Sequence, residues 1–328
     1  MRQLASIQRI RKLEPILGAD AILKASILGW EVVVKKGEFK EGDLCVYCEI
    51  DSLLPDQPAF AFLKPHKMRI RTIRLRGQIS QGICFPLTVL PAKIELVEGK
   101  EVTEVLGVKK YEPPMPANLA GVAKGPFPSW IPKTDETRVQ ILQDRLNAFQ
   151  GESCFITEKL DGSSATYYRR DGEFGVCSRN LELLPDPKNS LWKFAEDKQL
   201  AEKLATLDRD IALQGEIIGE GIQGNKYGIR GQTVYFFNAF DIDKYQYLNF
   251  GEFQDLLSTL GLASVPVLEK NYQLSNNISE LVHLSIGKSV LKPVRREGLV
   301  IRPLNEQRDM EGRISFKVIN PEFLLKYE

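Results

Sequence analysis

The sequence predicts an α+β protein. A small β-barrel occupies residues 1–106, a proline-rich linker 107–135, and a domain of antiparallel sheets with flanking helices 136–328. Three observations predict this. The first hundred residues hold short alternating or apolar runs, separated by turns at Lys36-Gly37, Glu41-Gly42-Asp43 and Arg76-Gly77, with no long helical pattern. Pro113, Pro114, Pro116, Pro126, Pro128 and Pro132 then crowd a single segment. Beyond about residue 150, strands and helices interleave irregularly, without the βαβ repeat of a doubly wound sheet.

In chain order, 22–34 (ILKASILGWEVVV), 44–50, 68–76 and 83–90 read as barrel strands. Segment 107–135 reads as extended rather than packed. Val139, Ile141, Leu142 and Leu146 then share one helical face. Strands are expected at 153–159, 164–170, 173–178, 211–218, 233–242, 298–302 and 313–319, and helices at 190–206, 250–260 and 276–285.

With 328 residues, 43% of them hydrophobic and 27% charged, the chain has room for two cores. No apolar run approaches the roughly 20 residues that span a bilayer. The opening MRQLASIQRIRKLEP lacks a signal-peptide core, so a cytoplasmic monomer with no membrane partner is expected. Five dispersed cysteines suit a reducing compartment, and Cys45-x-x-Cys48 lacks the second pair of a zinc site. With only His66 and His283, multi-histidine metal centres and histidine-activated nucleophiles are disfavoured. Residues 1–110 carry a net charge of +5 and the remainder −4, which points the front end towards a polyanion.

The chemistry centres on ITEKLDGSS, where Lys159 sits between a strand and an Asp-Gly bend. A surface lysine beside a β-turn is the ordinary explanation. Other islands are equally ordinary singly: SRN (178–180), QGEIIG (214–219), FNAFDI (237–242), EGLVIRP (297–303) and SFKVIN (315–320). Together, and in this order, they resemble the covalent nucleotidyltransferases, that is the ATP-dependent polynucleotide ligases and capping guanylyltransferases. The resemblance implies that Lys159 accepts AMP from ATP, and that Asp161, Glu216 and Glu297 organise Mg²⁺ or Mn²⁺. It also implies that Lys317 and Arg302 contact the α-phosphate, Phe240 stacks on adenine, Glu158 accepts from its amino group, and Arg179 contacts phosphate or ribose. An amine attacks phosphorus only when neutral, and partial burial with a neighbouring metal is expected to favour that form.

Only 11 residues follow Lys317, which leaves no room for the C-terminal OB barrel of DNA ligases and capping enzymes. The β-rich domain comes first. GADAILKASILGWEVVVKKGEFKEGDL, CEIDSLLP, TIRLRGQISQGICFPL and IPKTDETRVQ resemble the Naegleria/Deinococcus type of RNA ligase. That family joins an N-terminal OB-fold to an ATP-grasp-like nucleotidyltransferase domain. Membership implies joining of RNA 3′-hydroxyl and 5′-phosphate ends, at a nicked duplex, in RNA repair. By the same resemblance, Lys133 and Arg138 lie near the β- and γ-phosphates. One departure is Ile319, where many ligases carry a second lysine after Lys317; Lys326 is a substitute to consider.

The barrel segment KPHKMRIRTIRLR holds Lys64, Lys67, Arg69, Arg71, Arg74 and Arg76 and no acid. Arg69 and Arg71 share one strand parity, Arg74 and Arg76 the other, and a bulge near Thr72 and Ile73 would align all four. This is the expected RNA-binding strand, against the alternative of a charged, solvated edge. Competing functions are a DNA or mixed-strand ligase, and a nucleic-acid binding protein with a relict ligase domain.

Overall fold

The computed structural model describes residues 3–112 and 117–327, so Pro113, Pro114 and Pro116 of the expected linker lie outside the described residues. The chain forms two compact units. One comprises Met1–Pro113, Val139–Asp144 and Pro321–Glu328; the other comprises Pro114–Arg138 and Arg145–Asn320.

In the first unit, strands Ala5–Arg9, Leu44–Cys48 and Ile83–Phe85 form one antiparallel sheet. Lys12–Ile16, Ala19–Ile27 and Trp30–Lys35 form another. Trp30, Val32 and Val34 point inward while Glu31 and Lys35 face solvent, the period-two pattern of a half-buried strand. The apolar run 22–34 is therefore a hairpin rather than one strand. Leu28 takes a left-handed φ of 52° and Gly29 completes the turn, which apolar residues on both sides concealed. All five cysteines are buried and unpaired by disulfides.

The expected basic strand is also shorter. Lys67 and Met68 have φ of 54° and 61°, Arg69 makes an isolated bridge to Leu53, and the ladder proper runs over Thr72–Leu75 with Gln78–Gln81. Arg69 is buried: Nη2 bonds Asp51 Oδ1 at 2.7 Å and the guanidinium stacks 3.8 Å from the Tyr111 ring centroid. Arg74 pairs with Glu322, while Lys67 and Arg76 are exposed. The four arginines thus do not form one open face, because Arg69 is buried and consumed in pairing with the partly buried Asp51.

The second unit contains two main sheets, besides a two-stranded pairing of Arg308–Asp309 with Gly312–Arg313. The larger runs Ala123–Pro126, Leu181–Leu183, Glu173–Cys177, Ser163–Arg170, Ile211–Gly219, Gln232–Asp241, Gln246–Tyr247. Helices Ser190–Asp197, Leu200–Ala205 and Phe250–Leu260 cover one face, burying Tyr167, Leu213 and Phe236 with Leu191, Phe194, Leu204 and Phe253. The continuous helix expected at 190–206 is broken at Gln199, which adopts a φ of 51°. The smaller sheet runs Thr137–Arg138, Phe316–Ile319, Gly298–Pro303, Ser153–Lys159, Val267–Gln273. No helix among the described residues is long and apolar enough to cross a membrane.

Much of the proline-rich segment is packed rather than extended. Ala123–Pro126 is an edge strand, where proline is tolerated because one side of the ladder is unpaired. Phe127, Trp130 and Ile131 then pack against Tyr168, Cys177 and Phe240. Those three apolar residues are what overrides the prolines.

Candidate active site

Lys159 is the last residue of the strand Ser153–Lys159, directly opposite Gly298. A side chain at Gly298 would collide with the Val318 carbonyl, so glycine lets the neighbouring strand approach there. Glu297 immediately precedes it, and Lys159 Nζ donates to Glu297 Oε1 at 2.7 Å. Antiparallel partners share a sheet face, and residues two apart share it too. Thr157 opposes Val300, which opposes Lys317, and Arg138 lies beside Lys317 on the adjoining parallel strand. Lys159, Lys317 and Arg138 therefore belong to one face.

The larger sheet supplies Glu216, whose Oε1 accepts from the Gly162 amide at 3.1 Å. Gly162 has no room for a side chain, since a Cβ would lie 2.3 Å from the Ile217 carbonyl oxygen. The K-L-D-G turn is thus clamped against the Glu216 strand. A second clamp was not anticipated. The Asp161 amide donates to Tyr227 Oη at 2.8 Å, Gln223 Nε2 donates to the Gly162 carbonyl at 3.3 Å, and Lys226 pairs with the Asp161 carboxylate. The sequence signal was a lysine-tyrosine pair inside the glycine-rich stretch GIQGNKYGIRG.

Electrostatics bind these groups together. Burial pulls the Lys159 pKa down, but the charges of Glu297 and Glu216 and the hydrogen bond to Glu297 outweigh it, so the net shift is upward. Burial thus favours the neutral amine as expected, but without a metal ion the two carboxylates outweigh it. Burial, with Glu297 and Asp161 adding to it against Lys159, pushes the Glu216 carboxyl up to about 8. Glu297 is raised as well, chiefly by burial, and its Oε2 is buried with no hydrogen-bond partner among the described residues.

No group of three or more His, Cys, Asp or Glu side chains placed to hold a metal ion occurs among the described residues. An orphaned buried carboxylate oxygen and a carboxyl that readily holds a proton nevertheless fit a hydrated divalent ion, which keeps several waters and needs few carboxylates. Asp161, already held by Lys226, is the least available of the three expected ligands.

Three expected contacts are placed otherwise. Phe240 is 1% exposed, packed edge-on against Tyr245 and Tyr247, and a ring enclosed in core cannot stack on a ligand. A bulge at Gln214/Gly215 shifts the register of this strand, and Phe237 packs instead against the cluster of Leu160, Ile218 and Tyr227, beside the turn that follows Lys159. Arg302 is 2% exposed and spent internally: Nη2 bonds Glu136, Nη1 the Phe237 carbonyl and Nε the Ser315 hydroxyl, each at 2.9 Å. Glu158 alternates onto the face opposite Lys159, where Oε2 accepts from the Val290 amide at 2.9 Å. Lys133 bonds Asn180 at 3.1 Å and Arg179 bonds Asp135 at 2.8 Å, which ties their two loops together.

A lysine on a strand end, with Glu297 and Glu216 acting on it and further cations on its face, fits the class of covalent nucleotidyltransferases. The comparisons with known proteins narrow the class. A family model described as an OB-fold domain matches residues 4–87, and one described as RNA ligase matches residues 152–319. No match was found among curated protein sequences. Solved structures of Naegleria gruberi RNA ligase are similar over nearly the whole chain. A lysine-to-alanine variant with ATP and Mn shares 41% identity at a TM-score of 0.92, covering 98% of each chain. A glutamate-to-alanine variant with AMP and Mn gives 41% and 0.92 over 99% of each. The enzyme with pyrophosphate gives 41% and 0.92 over 100% of this chain and 99% of that one. The chain belongs to the RNA ligase family and is an ATP-dependent RNA ligase.

Proposed function

We propose that Lys159 is the nucleophile through which this enzyme joins RNA ends. The observation that carries this is the Lys159–Glu297 hydrogen bond, with the Glu216 charge acting on the same amine, on a face shared with Lys317 and Arg138. Nζ loses a proton and attacks the α-phosphorus of ATP; a P–N bond forms, the bond to the β-phosphate oxygen breaks, and pyrophosphate leaves. An RNA 5′-phosphate oxygen then displaces Lys159 from the AMP phosphorus, giving a 5′–5′ pyrophosphate linkage. The 3′-hydroxyl finally attacks the RNA 5′-phosphorus, and AMP departs.

Glu216 and Glu297 would hold a divalent cation, which offsets negative charge at the α-phosphate. Complexes of the Naegleria enzyme with ATP or AMP and Mn support this cofactor class. Lys317 and Arg138 supply positive charge on the nucleophile's face, and the cross-linked Lys133 and Arg179 loops are assigned to the outer phosphates. Phe237 takes the adenine-stacking role expected of Phe240. In the barrel, Lys67, Arg74 and Arg76, with the exposed Ile73 and Leu75, form the RNA-engaging hairpin. The substrate is assigned as a nicked duplex. Nicked duplexes with ribose or deoxyribose at the junction test this: sealing should require ribose at the 3′-hydroxyl end. Equal sealing of an all-DNA nick would favour the DNA-ligase alternative.

A further inference from the structure

Residues 281–296, LVHLSIGKSVLKPVRR, contain no acidic residue and carry Lys288, Lys292, Arg295 and Arg296. From 287 to 296 the chain closes on itself. Lys288 and Arg295 form an antiparallel bridge, the Ser289 amide donates to the Val294 carbonyl at 2.8 Å, and the Arg296 amide donates to the Gly287 carbonyl at 3.1 Å. The Ser289 hydroxyl accepts from the Leu291 amide at 3.1 Å. These bonds hold a loop that would otherwise lose conformational freedom on binding.

Its attachment is specific. Leu291 and Val294 pack against the apolar cluster of Leu160, Ile218, Tyr227 and Val265, and Glu158 accepts from the Val290 amide. Leu160 and Glu158 are the two chain neighbours of Lys159, and the loop runs directly into Glu297, the hydrogen-bond partner of Lys159. Arg296 turns inward and binds the Leu284, Ser285 and Ile286 carbonyls that end the helix Ile278–Ser285. Lys288, Lys292 and Arg295 remain on the exposed side. The Glu158 carboxylate thus fastens a preformed basic loop to the nucleophile strand.

We infer that loop 287–296 binds the sugar-phosphate backbone of the RNA being joined, as a second RNA contact separate from the barrel hairpin. This rests on the RNA ligase function proposed above. Lys288, Lys292 and Arg295 provide point charges and donors for phosphate oxygens, a sequence-independent mode suited to an enzyme that must accept many ends. Fastening to Glu158 and Leu160 makes phosphate engagement a means of placing an RNA end relative to Lys159.

The full-length Lys288→Ala/Lys292→Ala/Arg295→Ala variant tests this against a 5′-phosphorylated nicked RNA duplex. Affinity should fall at least about tenfold at moderate salt, and the slope of log K against log salt should shrink by about 2–3. Self-adenylation from ATP and thermal melting should match the parent. A Lys288→Arg/Lys292→Arg/Arg295→Lys variant should bind RNA like the parent. Unchanged RNA affinity and salt slope in the alanine variant would overturn the inference. So would loss of self-adenylation, because the loop would then serve the nucleotide site. A parent that takes no AMP from ATP overturns the ligase function instead; the loop is judged on the RNA-binding difference alone.

Discussion

Lys159 Nζ donates to Glu297 Oε1 across 2.7 Å, and this one bond joins the proposed nucleophile to a carboxylate 138 positions further along the chain. The bond holds the amine in its charged, unreactive form while it positions Nζ. Glu297 should therefore serve both positioning and metal binding, through Oε1 and Oε2 respectively. Glu297→Ala should slow self-adenylation by about 10²–10³-fold, the scale of losing one preorganised electrostatic partner. Labelling rates measured over a metal titration check this, and a near-parental rate at any metal concentration would remove Glu297 from the site.

Glu216 predicts a pH dependence whose sign follows from its raised carboxyl. With a pKa of about 8 it holds its proton at neutral pH in the nucleotide-free protein, and a divalent cation must displace that proton. Self-adenylation should therefore rise with pH through this region when metal is limiting. More metal competes better with the proton, so the acid limb should move to lower pH as metal increases. Rates measured over pH at several metal concentrations decide it, and an acid limb indifferent to metal would contradict the assignment.

The two phenylalanines of FNAFDI should separate cleanly. Phe237→Ala should raise the ATP requirement of self-adenylation by about tenfold, consistent with losing about 1–3 kcal/mol of base stacking. Phe240→Ala should instead destabilise the fold by about 3–5 kcal/mol, as for other buried aromatics, with ATP affinity unchanged in the molecules that remain folded. Nucleotide titration and urea unfolding of both variants check this.

Arg302 should prove a brace rather than a phosphate ligand. Glu136→Ala leaves the buried guanidinium without its carboxylate and should cost about 3–5 kcal/mol of stability. Urea midpoints measure the loss. A Glu136→Ala protein of parental stability would show that the pair is not fully desolvated.

The parts of this site legible in the sequence were those fixed by local chemistry. The strand end at Lys159, the Asp-Gly bend and the helix over 250–260 follow from short-range pattern, and the structure has them where expected. What could not be read depended on partners distant in sequence. Arg302 resembles an active-site cation until Glu136 lies against it, and Arg69 resembles an RNA ligand until Asp51 does. Where Phe237 points depends on a bulge that leaves it outside the pairing with the Glu216 strand, and nothing local in FNAFDI marks that bulge. Lys226 and Tyr227 stand out as a pair in a glycine-rich stretch, but only the fold brings them to Asp161. The prolines at 126–132 concealed packing that Phe127, Trp130 and Ile131 signalled.

The most direct test of the account is to find where AMP becomes attached. The protein is incubated with α-labelled ATP and a divalent cation, denatured, digested, and the labelled peptide sequenced by mass spectrometry. One AMP should be found, on Lys159, and Lys159→Ala should take up no label. Lys159→Arg should also fail, because a guanidinium stays protonated and cannot attack phosphorus. Label on another residue, or label persisting in Lys159→Ala, would contradict the central claim.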